Sequence, residues 1–369
     1  MAELYASDLR AALERGATLP ADWYFDPEIA RVERDAIFAR SWQYAGRLDQ
    51  VAEPTSYFAC RAGHVPVVVV RDAEGILRAF VNVCRHRGHL VVQGEGRRAT
   101  LQCPYHAWTY GLNGCLRAAP RSEREPGFDF DDYPLLPVAV DTWGPCVFVN
   151  PDADAAPLAE VIGPVGAAVE ASGLELGSLR FHHRGEYDIL ANWKVGVENY
   201  LECYHCPVAH PGFSSVVDVD PDRYVLNTYD WVSTQQGSTR VDGKRQPYDP
   251  AGEIGGNTSV FVWPNFTLDV IPGPPNLVVG VFLPDGPERS FGIADYYFGE
   301  GVDEALKADM VAFNEQVGNE DTALVEGVQA GLGSGVVPHG RLLAESEKLI
   351  AHFQRLVYGA LTDGSERKA

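Results

Sequence analysis

The chain has 369 residues, enough to bury a sizeable core and to form two or three domains. Its 51 acidic against 30 basic residues give a formal net charge of −21, which disfavours binding to nucleic acid or to an anionic membrane surface. No run of eighteen uncharged apolar residues exists, and Arg10, Glu14, Arg15 and Asp22 interrupt the first thirty, so neither a membrane span nor a signal peptide is read and a cytoplasmic protein is expected.

In chain order, residues 2–15 read as a helix and 27–42 as a second, amphipathic one with Ile29, Val32, Ile37 and Phe38 on one side. Short β-rich runs follow at 65–70, 79–83, 100–103 and 147–150, separated by Gly, Pro and Asp. They predict a small all-β domain over 46–155, with Trp143-Gly144-Pro145 leading its closing strand. An Asp/Ala/Pro-rich joint then opens a second domain, 156–369, in which 277–283 and 292–298 read as neighbouring strands and 304–332 and 342–361 as helices. Strands covered by a long helix make an α+β layer.

The β-rich domain carries Cys84-Arg-His86 and, after sixteen intervening residues, Cys103-Pro-Tyr-His106. Two thiolates and two imidazoles suit an iron–sulfur cluster in which the cysteines hold one iron and the histidines the other. A structural Cys2His2 zinc is the alternative, but a zinc finger pairs Cys with Cys and His with His locally, whereas each half-site here supplies one of each.

In the second domain, the run from Asn192 to His210 supplies two histidines, His205 and His210, with Glu202 three residues before the first. If 195–204 is helical, Glu202 and His205 share one face, and Pro207 breaks the helix so that His210 swings back toward the same point. Two histidines and a carboxylate form the facial set of non-haem iron oxygenases. The carboxylate need not be the nearest in sequence, since the acidic segment after Gln316 offers Glu320 and Asp321. Cys203 and Cys206 flank His205 and read as packing residues, because helical spacing turns Cys203 away from the Glu202 and His205 face. Two buried, hydrogen-bonded histidines without metal remain the plain alternative for the pair.

Together, the Cys84/His86 and Cys103/His106 pairs with their Arg87-Gly88 and Pro104-Tyr105 neighbours, the Trp193-Lys194 and Glu198-Asn199 signature, His205, His210 and the Asp-containing helix resemble the α subunit of Rieske non-haem iron oxygenases over nearly the whole chain. One departure is Ala107, where many members have glycine. The resemblance implies a Rieske [2Fe-2S] domain plus a helix-grip, START-like catalytic domain, with residues 1–45 packing as N-terminal helices on the latter. It also implies mononuclear iron held by His205, His210 and Asp321. A head-to-tail homotrimer is implied, in which Glu202, standing where ring-hydroxylating members usually carry aspartate, bridges a cluster histidine of one subunit to an iron-bound histidine of its neighbour.

The Glu202 exchange and the Glu-Cys-Tyr-His-Cys-Pro-Val-Ala-His wording look more like the branch acting on quaternary ammonium compounds, such as glycine betaine, choline, carnitine and proline betaine. The resemblance then implies O2 as co-substrate and electrons from NAD(P)H through a separate flavin and iron–sulfur reductase, no nucleotide-binding glycine pattern being present here. Hydroxylation of an N-methyl carbon would give N-demethylation and formaldehyde. Attack on a carbinol carbon, as in a choline-type hydroxylase, and aromatic ring hydroxylation or O-demethylation are the rival outcomes. A bare Rieske electron carrier would need only about a hundred residues. A methylated ammonium is held by ring faces and nearby carboxylates. The catalytic half offers Phe261, Trp263, Phe266, Tyr296 and Tyr297, with Tyr200 and Tyr204 beside the iron ligands, and Trp263 and Phe266 are favoured for this role.

Overall fold

A computed structural model describes residues 2–240 and 245–366. The chain divides into two compact units, Phe38–Leu158 and Met1–Ile37 with Ala159–Ala369. Among the described residues no helix is long and apolar enough to cross a membrane.

The first unit is built from short antiparallel strands: β1 (Gln43–Arg47), β2 (Ser56–Ala62), β3 (Val65–Arg71), β4 (Leu77–Val81), β5 (Glu95–Arg97), β6 (Thr100–Gln102), β7 (Thr109–Gly111), β8 (Leu116–Ala118), β9 (Pro137–Trp143) and β10 (Cys146–Asn150). Seven of them form one sheet in the order β1-β10-β9-β4-β3-β2-β5, and β6, β7 and β8 a second. The run Val67–Val70 on β3 is fully buried, as expected where β-branched side chains pack on both faces of a central strand. This unit begins at Phe38 rather than near residue 46, because β1 pairs with β10 and so belongs to its sheet.

Two loops of this unit are near copies of one another. After β4, the Gly88 N–H donates to the Cys84 carbonyl at 3.0 Å and the Cys84 N–H to the His89 carbonyl at 2.8 Å. After β6, the Ala107 N–H donates to the Cys103 carbonyl at 3.0 Å and the Cys103 N–H to the Trp108 carbonyl at 2.9 Å. Each loop closes through a left-handed residue, Gly88 with φ +76° and Ala107 with φ +58°. Glycine adopts that region without cost, whereas a Cβ there is opposed by the neighbouring carbonyl.

The second unit holds helices α1 (Ala2–Glu14), α2 (Pro27–Glu33), α3 (Leu158–Ala171), α4 (Trp193–Tyr200), α5 (Cys206–Ala209), α6 (Pro211–Val216), α7 (Glu304–Gly333) and α8 (Lys348–Glu366). Its strands are β11 (Leu179–Ile189), β12 (Val225–Thr228), β13 (Val232–Ser238), β14 (Gly256–Val262), β15 (Phe266–Val270), β16 (Asn276–Pro284) and β17 (Ser290–Gly299), which form one antiparallel sheet ordered β11-β17-β16-β15-β14-β13-β12. Helix α7, capped by Asp303, whose carboxylate accepts from the Ala305 and Leu306 amides, packs with α4, α6 and β11. A single sheet gripping one long helix is the α+β layer expected, with the β-rich Rieske-type unit beside it in sequence.

The N-terminal segment is tied into this second unit by buried polar contacts. Glu33 accepts from Trp193 Nε1 at 2.9 Å and from the fully buried Lys194 ammonium. Tyr24 donates to Glu198 at 2.6 Å, and Gln354 donates to the same carboxylate at 2.9 Å. A buried ion pair of this kind persists only when its remaining hydrogen-bonding capacity is met.

Three expected helices are shorter than the periodicity suggests. The second ends after a π-helical turn at Arg34–Phe38 instead of reaching Trp42, because Gln43 Nε2 donates to the Phe38 carbonyl and thereby caps the exit. The iron-ligand helix stops at Tyr200, so residues 201–205 form a turn rather than a continuation of α4. The last helix starts at Lys348 rather than 342, because 341–342 bond to the N-terminal segment instead, Leu342 N–H donating to the Gly16 carbonyl at 2.8 Å.

The left-handed Ala107 yields a stability prediction. Relief of its backbone conformation outweighs the extra unfolded-chain entropy of glycine, so Ala107→Gly should stabilise the protein by about 0.5–1 kcal/mol. A higher denaturation midpoint with an unchanged cluster spectrum is the expected result, and a lower midpoint would show that the methyl group contributes packing that the backbone argument ignores.

Candidate metal centres and the cavity beside the second

The loops after β4 and β6 place Cys84 and Cys103 in the core of the first unit, 3% and 2% exposed, while His86 and His106 stand at its surface. The two imidazole rings lie 4.7 Å apart, His86 stacked on Trp108 at 5.0 Å and His106 against Tyr105 at 3.9 Å. Behind the thiols, the Tyr110 hydroxyl lies 3.4 Å from Cys84 Sγ and accepts from the Arg85 amide at 3.0 Å. Desolvation, then the neighbouring His106 and Arg87 charges, lower the pKa of His86, which favours the neutral imidazole that a metal takes.

The arrangement of these four residues suits two irons better than one zinc. Among the described residues, only His205, His210 and Asp321 converge as a trio whose ligand atoms lie within 4.8 Å of one another. Cys84, His86, Cys103 and His106 instead present two thiols inward and two imidazoles outward, which is the division that a histidine-ligated two-iron cluster requires.

The second centre is assembled from the turn after α4, the start of α6 and the middle of α7. Pro207 and Pro211 occupy early positions of the short helices α5 and α6 and set the reversal that returns His210 to His205. Their Nε2 atoms face each other at 3.1 Å, and Asp321 Oδ1 lies 2.9 Å from His210 Nε2 and 3.6 Å from His205 Nε2. Neighbouring positions around one ion with bonds of roughly 2.1 Å are about 3 Å apart, so these three donors fit one face of a single metal.

Each imidazole is also held from behind. Glu202 accepts from His205 Nδ1 and from the Tyr204 and His205 amides, and Glu320 accepts from His210 Nδ1 at 2.7 Å. Burial lowers the pKa of His205, but hydrogen bonds to Asp321 and Glu202 and their charges outweigh it and push the value up to about 9. His210 is raised in the same way by Asp321 and Glu320 against its own burial. Burial works to raise the Asp321 pKa, yet hydrogen bonds from both histidines hold it below the usual carboxylate value. Of the two adjacent acidic candidates on α7, Asp321 faces the metal-binding nitrogens, whereas Glu320 orients His210.

Beside the trio opens a cavity of about 230 Å³ within the second unit. Asn314, Val317, Gly318, Asp321, Thr322 and Val325 form its α7 wall, a stripe at the spacing of one helical face. Gly318 lets the helix approach Tyr187 closely, since a Cβ there would stand 3.3 Å from that ring and press it aside. Aromatic lining comes from Tyr187, Tyr200, Phe213, Tyr224, Phe282 and Tyr296.

Only part of the expected aromatic set lies here. Tyr200 and Tyr296 line the cavity, but Trp263, Phe266, Phe261, Tyr297 and Tyr204 do not. Trp263 and Phe261 pack on Phe353 of α8, Tyr297 meets Phe181, and Tyr204 is 64% exposed. Phe266 precedes the lining residue Thr267 on β15, so strand alternation turns it to the other face. Cys203 and Cys206 are not separate packing residues, since they form a disulfide around His205. With the helix ended at Tyr200, the turn brings Cys203 back toward Cys206 instead of carrying it round a helix. Asp269, a cavity carboxylate on β15, was not legible as a site residue, because no metal motif surrounds it.

Comparison with known proteins agrees with both centres. Residues 41–139 match the Rieske [2Fe-2S] domain, and residues 176–362 match the ring hydroxylating alpha subunit catalytic domain. The carnitine monooxygenase oxygenase subunit of Escherichia coli is 34% identical, covering 94% of each chain. The chloroplastic choline monooxygenase of Amaranthus tricolor is 33% identical over 95% of this chain and 79% of its own. A solved quaternary ammonium Rieske monooxygenase in complex with L-carnitine superposes with a TM-score of 0.83 at 32% identity, covering 95% of this chain and 97% of its own.

The opposed roles of the adjacent carboxylates can be separated. Asp321→Ala should abolish tight iron binding at the second centre, whereas Glu320→Ala, which loses only the orienting bond to His210, should weaken it about 10–100-fold. Iron content after dialysis against a graded chelator measures both, with the cluster absorbance unchanged as the internal control. An inverted order would exchange the two assignments.

Proposed function

The chain belongs to the Rieske non-haem iron oxygenases as an α subunit with a monooxygenase's two metal centres, related to the enzymes of quaternary ammonium compounds, and we propose that it hydroxylates an N-methyl carbon of such a compound. When bound, the cluster supplies electrons singly and the mononuclear iron supplies the oxygen chemistry. One oxygen atom of O2 enters the C–H bond and the other leaves as water, with two electrons and two protons consumed. The resulting carbinolamine loses formaldehyde as its C–N bond breaks and the nitrogen lone pair takes up a proton.

The observation that carries this reading is the aromatic cavity against the His205, His210 and Asp321 trio. Ring faces hold a methylated cation that has no hydrogen to donate, and a desolvated cation–π contact contributes up to about 2 kcal/mol. Tyr187, Tyr200, Phe213, Tyr224, Phe282 and Tyr296 line the cavity, and we assign the relay to Cys84, His86, Cys103 and His106. The relatives, carnitine and choline monooxygenases, favour the same substrate class.

We further assign Glu202 to the electron path, as the carboxylate that links His205 to a cluster histidine of a neighbouring subunit in a head-to-tail homotrimer. A separate flavin and iron–sulfur reductase would feed electrons from NAD(P)H to the cluster, in the cytoplasm. The Glu202 side chain is 11% exposed and already engaged with His205 Nδ1. It thereby fixes which nitrogen faces the metal, and with three hydrogen bonds accepted, one of about four lone-pair sites is left, on Oε1, for a second imidazole.

With a compatible reductase, NADH and O2, a panel of glycine betaine, carnitine and choline should yield formaldehyde in step with substrate consumed. Oxidation without formaldehyde would indicate attack on a carbinol carbon instead, and turnover of methoxybenzoates alone would move the chain to the aromatic branch. Glu202→Gln should load both metals yet slow single-turnover electron transfer from cluster to mononuclear iron severely. Transfer at the parent rate would return Glu202 to a purely orienting role.

A further inference from the structure

Most carboxylates around the trio are already committed. Asp321 faces both histidines, Glu202 holds His205 and Glu320 holds His210. Asp269 lines the same cavity and faces neither histidine. It stands directly across the β14–β15 ladder from Ser259, which donates to it, and the Tyr200 hydroxyl lies 3.0 Å away as a second donor. No lysine or arginine is paired with Asp269, and none lines the cavity among the described residues.

A buried carboxylate is costly unless a positive partner or enough hydrogen bonds compensate it. Burial pushes the Asp269 pKa up to about 6, against the hydrogen bonds from Ser259 and Tyr200. Its hydrogen-bonding needs are met by the protein, and what it lacks is positive charge. Beside it, Gln235 is fixed by donating from Nε2 to the Tyr200 carbonyl at 2.6 Å, which leaves Gln235 Oε1 buried without a hydrogen-bond partner. This wall therefore combines carboxylate, amide and hydroxyl groups with aromatic side chains, and holds no lysine or arginine.

We propose that Asp269 is the counter-ion for the cationic headgroup of the substrate, a specificity-determining carboxylate held in place by Tyr200 and Ser259. The inference rests on the ammonium reading above and deepens it. A quaternary ammonium spreads its charge over methyl groups and donates no hydrogen bond, so it suits a carboxylate whose donors are already provided. A neutral molecule of the same shape would leave Asp269 desolvated and uncompensated.

The test is equilibrium binding of choline and of its neutral tert-butyl isostere, neohexyl alcohol, to the metal-loaded enzyme. The parent enzyme should prefer choline, and Asp269→Asn should weaken choline binding about tenfold or more while leaving neohexyl alcohol within about twofold. Asp269→Leu is the second variant, because the Tyr200 hydroxyl retains the Val260 and Leu268 carbonyls, at 3.3 and 3.1 Å, as acceptors. Cluster absorbance and iron content should match the parent in both. Retained preference for choline in the variants, or equal weakening of the two ligands, would overturn the assignment of Asp269 and leave the ammonium reading standing. A parent enzyme that binds the two ligands equally would instead overturn the ammonium reading, and this inference with it.

Discussion

Two imidazoles can serve one ion only if each turns one ring nitrogen to the same point, and an imidazole on a flexible side chain does not do so unaided. Here the constraint is met from behind, by a carboxylate on each Nδ1: Glu202 on His205 and Glu320 on His210. Both Nε2 atoms are thereby aimed at Asp321. The geometry of the second centre and the electron path assigned to Glu202 both depend on this pair of contacts.

The same arrangement explains why so many acidic groups can gather in one place. Each of Glu202, Glu320 and Asp321 accepts from an imidazole, and for Asp321 those bonds outweigh the burial that works to raise its pKa. Asp269 is the informative exception. Its neighbours give it hydrogen bonds without charge, so its pKa rises to about 6 whereas that of Asp321 falls.

In the β-rich unit the limiting factor is backbone conformation rather than charge. Both ligand loops close through a left-handed residue four positions after the cysteine. This puts the thiols inside and the imidazoles outside, and so divides four ligands between two irons. Glycine meets the requirement at residue 88, and alanine meets it at 107 with some strain.

The metal chemistry was legible in the sequence because its ligands come in short, local patterns: Cys84 with His86, Cys103 with His106, and His205 with His210 on either side of a proline. The paired strands β16 and β17 and the long helix α7 were likewise written in periodicity. Where the sequence misled, a contact outside the helical repeat had intervened, long-range in one case and only three to five residues away in the others. Gln43 ends one helix early, the pairing of 341–342 with the N-terminal segment delays another, and the turn after Tyr200 closes Cys203 onto Cys206. The substrate wall was decided by tertiary structure alone. Composition reports that aromatics exist, but only strand alternation and the grip of the sheet on α7 decide that Tyr296 faces the cavity while Trp263 packs on Phe353, and that Asp269 stands among them. The candidate ligand pairs are legible because their members lie within five residues of one another, whereas Asp321 and the cavity are brought in by distant segments meeting, which no local pattern encodes.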